Sequence, residues 1–203
     1  QHPDFSYARP FGAGLSLILS IVHEAGASRC TTDGLRLRPL SVDELFHYGQ
    51  ANTDAAPITT VQPSGPTTCL SSQSPFIAAK AANMPALLAR QEITAPNGLF
   101  VMLPQQHLLF YAPADPNNIS AQLHSLVDFV RFPIIDAQTN NPHRALSRDI
   151  FYYSPDGTLD AITRADDPDV QELLSNPHIS STNYHVSVQK YLSPAFEQRF
   201  FSH

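Results

Sequence analysis

The chain has 203 residues, of which 42% are hydrophobic and 15% charged, and its net charge is −6. That length and apolar content suffice for a full core and exclude wholesale disorder. No basic face of the kind that wraps nucleic acid is visible, and no run approaches the roughly 20 apolar residues that span a bilayer.

The 18 prolines each remove a backbone donor and fix φ, so short elements and many turns are expected. Leu15 to Val22 reads as a central β-strand, because both of its faces are largely apolar. With Arg9 before it and Ala25-Gly26-Ala27 after it, this stretch loosely imitates a signal peptide, but Ser16, Ser20, His23 and Glu24 interrupt it. The chain opens on Gln1 rather than Met, as a trimmed or processed protein would, and a cytoplasmic location is expected.

Thr32-Asp33-Gly34 is a turn signal. Ser41-Val42-Asp43-Glu44 has the form of a capping box, which predicts a helix to about Thr53 with Leu45 and Tyr48 facing the core. Ala56 to Ser74 is rich in Pro, Thr, Ser and Gln. Its strand candidates, Ile58 to Val61 and Thr67 to Leu70, suggest a hairpin or an exposed loop. Ser74-Pro75 is expected to start a helix through Leu88 that Pro85 kinks or splits.

After the turn Asn97-Gly98, Leu99 to Leu103 and His107 to Tyr111 are strands separated by Pro104-Gln105-Gln106. Asp115-Pro116-Asn117-Asn118 caps a helix predicted over Ile119 to about Phe132, with an apolar stripe along one side. Ile150 to Tyr153 and Thr158 to Ile162 flank Ser154-Pro155-Asp156-Gly157, a hairpin signal. Asp166 to Asp169 opens a short acidic helix through Leu174, where acids suit the helix dipole. Hairpins mixed with helices predict an α+β fold: a mixed or antiparallel sheet with helices packed on it, in one domain, with a possible flexible tail from about residue 176.

The familiar catalytic signatures are absent from the sequence. There is no G-x-S-x-G elbow, no phosphate-cradling glycine loop and no H-E-x-x-H. Nine histidines are scattered without ligand spacing, and Cys30 and Cys69 cannot fill a structural zinc site alone. Neither a metal nor a cofactor is therefore expected. The two cysteines read as free thiols, with a disulfide as the alternative. An enzyme reading requires a nucleophile, a base and an orienting acid drawn from distant positions, and Cys69, His107 and Asp115 are its candidates for a hydrolase.

Charge patterning is more informative. Asp149, Asp156, Asp160, Asp166, Asp167, Asp169 and Glu172 face a single base, Arg164, within one segment, and that segment holds the whole net charge. A local field of one sign steers an oppositely charged partner. The opposing reading is a solvated hairpin and helix start that keep the protein soluble. A third possibility, a structural component of a larger assembly, would use the Pro-rich loop and the tail as contacts.

Four stretches carry a family resemblance. They are Leu15 to Val22; Leu40-Ser41-Val42-Asp43-Glu44-Leu45 through Asn52; Phe76 to Leu88; and Gly98-Leu99-Phe100-Val101-Met102-Leu103-Pro104 through Leu108-Leu109-Phe110. In order and spacing, over roughly Arg9 to Ile162, the chain is similar to the YtpQ-like bacterial family of unknown function, from which the Ala56 to Ser74 stretch departs. The resemblance implies a bacterial origin and an α+β sheet, and brings no activity and no site residues. Together these features lead to one expectation. The chain is a non-enzymatic protein-binding module of the immunity or adaptor type, with those seven acids docking a basic partner such as a toxin or effector.

Overall fold

In the computed structural model, residues 4–12, 14–24, 26–126, 129, 146–163 and 192–201 are described. The fold grows from one strand. Leu99–Gln105 (β7) opens with five consecutive apolar residues, so it has no polar face to offer water and must be covered on both sides. It lies inside a six-stranded antiparallel sheet of order β10-β9-β7-β8-β6-β5. The other strands are Thr60–Ser64 (β5), Thr67–Ser71 (β6), Leu108–Pro113 (β8), Ile150–Tyr153 (β9) and Leu159–Ala161 (β10). With its helices, this makes the protein α+β, as the order of elements predicts.

Strand alternation sorts the core into two layers. Phe100 and Met102 point to one face with Phe110, Ile150 and Tyr152, where helical residues 119–126 (α4) contribute Ile119, Leu123 and Leu126. Leu99, Val101 and Leu103 point to the other with Leu109 and Phe151. There a 3-10 helix, Ala78–Asn83, and the helix Met84–Arg90 (α3) bring Ala81, Met84 and Leu87. Burying each side chain of this size is worth about 1.5–3 kcal/mol, so the two-sided cover accounts for the central place of β7.

Pro104 sits within β7, where a missing N–H would normally break the ladder. Register shifts between Met102 and Gln105, so Leu103 and Pro104 together oppose Leu109, and the proline occupies a bulge. The strand therefore passes Pro104, and the turn falls at Gln106 and His107.

The expected central strand Leu15 to Val22 is corrected. It divides into Leu15–Leu17 (β2), paired with Arg9–Gly12 (β1), and Ser20–His23 (β3), paired with Gly26–Arg29 (β4), both outside the main sheet. The Tyr7 hydroxyl marks the break: it accepts from Leu19 N at 3.2 Å and donates to Cys30 O at 2.6 Å. Thr32-Asp33-Gly34 opens a short helix, Thr32–Arg36 (α1), because the Thr31 hydroxyl accepts from Gly34 N.

Val42–Ala55 (α2) carries the full capping box expected of Ser41 and Glu44. Neither Leu45 nor Tyr48 is buried, however, and the whole helix has no buried residue. It is held to the N-terminal hairpins by Arg9, which pairs with Asp43 and lies 4.0 Å above the Phe46 ring. Pro85 divides the next helical stretch, as expected, and does so by standing in the first turn of α3 behind the Asn83 cap. The helix expected from Ser74 begins only at Ala78. Within the stretch read as a possible flexible tail, Pro194–Phe201 (α5) is a helix docked on the sheet. Its Phe196 lies 5.1 Å from Tyr152 and 5.9 Å from Phe100, ring centre to ring centre.

Candidate functional site

The β9–β10 hairpin carries the first three acids of the charged segment. Asp149 is 6% exposed, so it presents no carboxylate to a partner and leaves the set of expected contacts. It fastens the hairpin instead. Thr163 Oγ1 donates to its Oδ1 at 2.9 Å and accepts from Ile150 N at the same distance, while Asp149 N donates to Ser147 Oγ at 3.0 Å.

Asp156 is exposed at the hairpin tip and braces the turn. The Ser154 hydroxyl donates to it, as do Thr158 N at 3.1 Å and Thr158 Oγ1 at 2.9 Å. Those donors hold its carboxyl below the usual aspartate range, the Ser154 hydroxyl first among them. Asp160 is exposed on β10, the last strand of the sheet on that side. Asp166, Asp167, Asp169 and Glu172, with the acidic helix expected there, lie outside the described residues.

The hydrolase trio is not brought together. His107 lies in the turn before β8, and Asp115 follows its far end. At ~3.3 Å per residue the strand holds them roughly 20 Å apart, well beyond the hydrogen-bond reach that general-base catalysis needs. Cys69, on β6 opposite Phe110, packs among apolar side chains, and burial pushes its thiol up and away from the reactive thiolate. Cys30 and Cys69 are free. Among the described residues no group of three His, Cys, Asp or Glu side chains could hold a metal ion, and no helix is long and apolar enough to cross a membrane.

A second feature escaped the sequence reading. Lys80, on the 3-10 helix, is 3% exposed. Its Nζ donates to Thr53 O at 2.6 Å and Asp54 O at 3.0 Å, the last carbonyls of α2, and Arg90 also donates to Asp54 O. Cations at a helix C-terminus complement its dipole and its orphan carbonyls. The Asp54 carboxylate accepts from Gln50 Nε2 at 2.7 Å and Asn83 Nδ2 at 2.6 Å. Burial, then the neighbouring Arg90, pull the Lys80 ammonium below the usual lysine range, against the pull of Asp54. A surface cleft of about 110 Å³ opens beside these groups. The available signal was a lysine set among alanines, Ala78-Ala79-Lys80-Ala81-Ala82, where a solvated face would carry more polar residues.

No family model, no curated protein and no solved structure matches the chain.

Proposed function

We propose that the chain is a non-enzymatic protein-binding module, of the immunity or adaptor type, that docks a basic partner through an acidic surface. One observation supports this reading above the others. The β9–β10 hairpin forms one rim of the sheet and exposes Asp156 and Asp160, at the beginning of the run that continues in sequence to Asp166, Asp167, Asp169 and Glu172. With Asp149 withdrawn into the fold, the contact set is the six remaining acids.

A field of one sign at a rim raises the rate of encounter with a cation-rich surface more than it strengthens the final complex. The partner that fits is a compact basic protein, such as a cationic toxin or effector whose own site would be covered on docking. The test starts from capture in the native host at low ionic strength and proceeds to association kinetics with the captured protein. Replacing Asp166, Asp167 and Asp169 together with Asn is expected to slow association by about tenfold, and salt should reproduce that loss in the parent protein as the Debye length falls below about 8 Å. An association rate that neither the triple replacement nor salt alters would refute the acidic docking surface.

A further inference from the structure

From the end of α1 to the cap of α2 the chain runs Arg36-Leu37-Arg38-Pro39-Leu40-Ser41, and every residue of this run is exposed. Arg36 and Arg38 are the only arginines of the chain that stand two residues apart. Ser41 is therefore the only serine or threonine with arginine both three and five positions before it. The fold makes little use of the two cations. Arg36 reaches Asp33 at 3.4 Å in a pair whose side chains are 75% and 86% exposed, and surface pairs of that kind contribute little. The Arg38 guanidinium has no hydrogen-bond or ion-pair partner among the described residues. Leu37 between them is 86% exposed, so packing does not hold the run in place either.

The hydroxyl at the end of the run is equally open. Ser41 is the cap of α2, with extended backbone at φ −66° and ψ 159°. Its Oγ accepts from Glu44 N at 3.2 Å and donates to Glu44 Oε2 at 2.7 Å, both on the exposed side of the helix start. Pro39 disfavours helical backbone at Arg38, and α1, which ends at Arg36, is only five residues long and opens at small cost. The segment can thus be drawn out into an enzyme's cleft without disturbing the sheet. Arginines at fixed spacing before a hydroxyl form a charge pattern by which a kinase selects its substrate, since carboxylates beside the cleft each take one guanidinium in forked geometry.

We infer that Ser41 is a phosphorylation site for a serine kinase that selects arginine at both upstream positions. In the transfer, Ser41 Oγ forms a bond to the γ-phosphorus of a nucleoside triphosphate. The bond from that phosphorus to the bridging oxygen breaks, the hydroxyl proton passes to a base of the kinase, and a nucleoside diphosphate leaves. The end of α2 can hold the product. Phosphate oxygens replace the hydroxyl as acceptors for the first-turn amides, and a charge of about −1.5 to −2 suits the positive end of the helix dipole. Glu44, facing a like charge, turns into the solvent to which it is already exposed. The site stands apart from the acidic rim and does not depend on the protein-binding role.

The experiment incubates the folded full chain with ATP and protein kinase B, a kinase of this arginine preference, and maps the phosphate by fragment mass spectrometry. The same mapping is applied to the protein recovered from its native host with phosphatases inhibited. Near-stoichiometric phosphate at Ser41 is expected in the first case, and a Ser41 phosphopeptide in the second. Arg36→Gln and Arg38→Gln each remove one charge-assisted contact to the kinase and are expected to lower kcat/KM by at least about tenfold. Both positions are exposed, so far-UV circular dichroism should match that of the parent. Ser41→Ala is expected to lose the label. The inference is overturned if the folded chain takes up no phosphate at Ser41, if neither arginine replacement slows the transfer, or if the host protein yields the Ser41 peptide in unmodified form alone.

Discussion

Gly98→Ala tests the packing that holds the acidic hairpin to the core. Gly98 stands just before β7 with φ +94°, in the left-handed region that side chains rarely adopt. A Cβ there would lie 2.4 Å from Tyr152 Oη and 2.5 Å from Tyr152 Cε2 and Cζ. Tyr152 cannot simply step aside. It is 5% exposed, its ring meets those of Phe100, Phe196 and Phe200, and its hydroxyl donates to Asn97 O at 2.6 Å. The backbone strain costs about 1–2 kcal/mol. Displacing the ring adds ~1 kcal/mol for the hydrogen bond and about 1–3 kcal/mol for overpacking. The total, roughly 3–6 kcal/mol, is a large share of the 5–15 kcal/mol that holds a typical domain together.

Urea unfolding measures this directly, read as a shift in midpoint at constant slope. Gly14 is the internal control: its φ is +71°, yet nothing lies within 4 Å of a Cβ added there. Gly14→Ala should therefore show the backbone part alone, about 1 kcal/mol. In a Tyr152→Leu background the distal ring atoms that Gly98→Ala strikes are gone, so its cost should fall to about the Gly14→Ala value. The reasoning fails if Gly98→Ala costs no more than Gly14→Ala, or costs the same with and without the Tyr152 ring.

Two further outcomes follow from the helices. Ser41→Ala removes the hydroxyl that accepts from Glu44 N at 3.2 Å and should cost about 1 kcal/mol in urea unfolding. Ser41 donors hold the Glu44 carboxyl below its ordinary 4.5, the hydroxyl foremost. Its contribution is thus present above that value and is lost as pH falls through the lowered folded pKa. In Ser41→Ala, a side-chain NMR titration should find the Glu44 pKa moved back up. Lys80 acts in the opposite sense at high pH. Its pKa is lowered on folding by burial and by Arg90, so the unfolded chain binds the extra proton between that lowered value and 10.5. Stability from this group therefore rises with pH across that window, and the unfolding free energy of the parent minus that of Lys80→Met should rise with pH there and stay level below it. A difference flat across the window would show that Lys80 keeps its ordinary pKa in the folded chain.

Short-range chemistry was legible in the sequence, and placement was less so. The capping box at Ser41, the Ser154–Gly157 hairpin and the proline that restarts a helix at Met84 are all set by contacts within four residues, and each stands where its residues predict. Leu15 to Val22 failed because an apolar run cannot say which surface will cover it. Its sequence resembles a core strand, yet Ile21 and Val22 remain 46% and 67% exposed. The central strand proved to be β7, whose apolar residues continue past Pro104 only because a bulge accommodates the proline. The acids show the same limit: identical in sequence terms, Asp149 is an internal fastener, Asp156 a turn brace and Asp160 a surface charge. Lys80 was missed for a related reason. Its role depends on α2 ending above it, a contact across 26 or 27 residues that no local pattern encodes.

The two-sided cover of the sheet leaves its central strands no open face for a partner. Both faces of β7, β8 and β9 are filled by the protein's own side chains, so among the described residues a partner of this sheet meets its rims. The two rims differ. On one side β5 ends the sheet with its residues largely exposed, and Pro63 within it lacks the N–H that an added strand would use. On the other, β10 is the last strand among the described residues, three residues long and carrying Asp160, so the edge it offers is brief and charged. Short, charged and proline-bearing edges resist backbone pairing with another chain. A partner at the β10 rim must therefore bind through side-chain charge, and that is why the electrostatic dependence of association, more than the size of any interface, decides between the acidic rim as a docking surface and the acidic rim as a device for keeping the sheet from sticking to its neighbours.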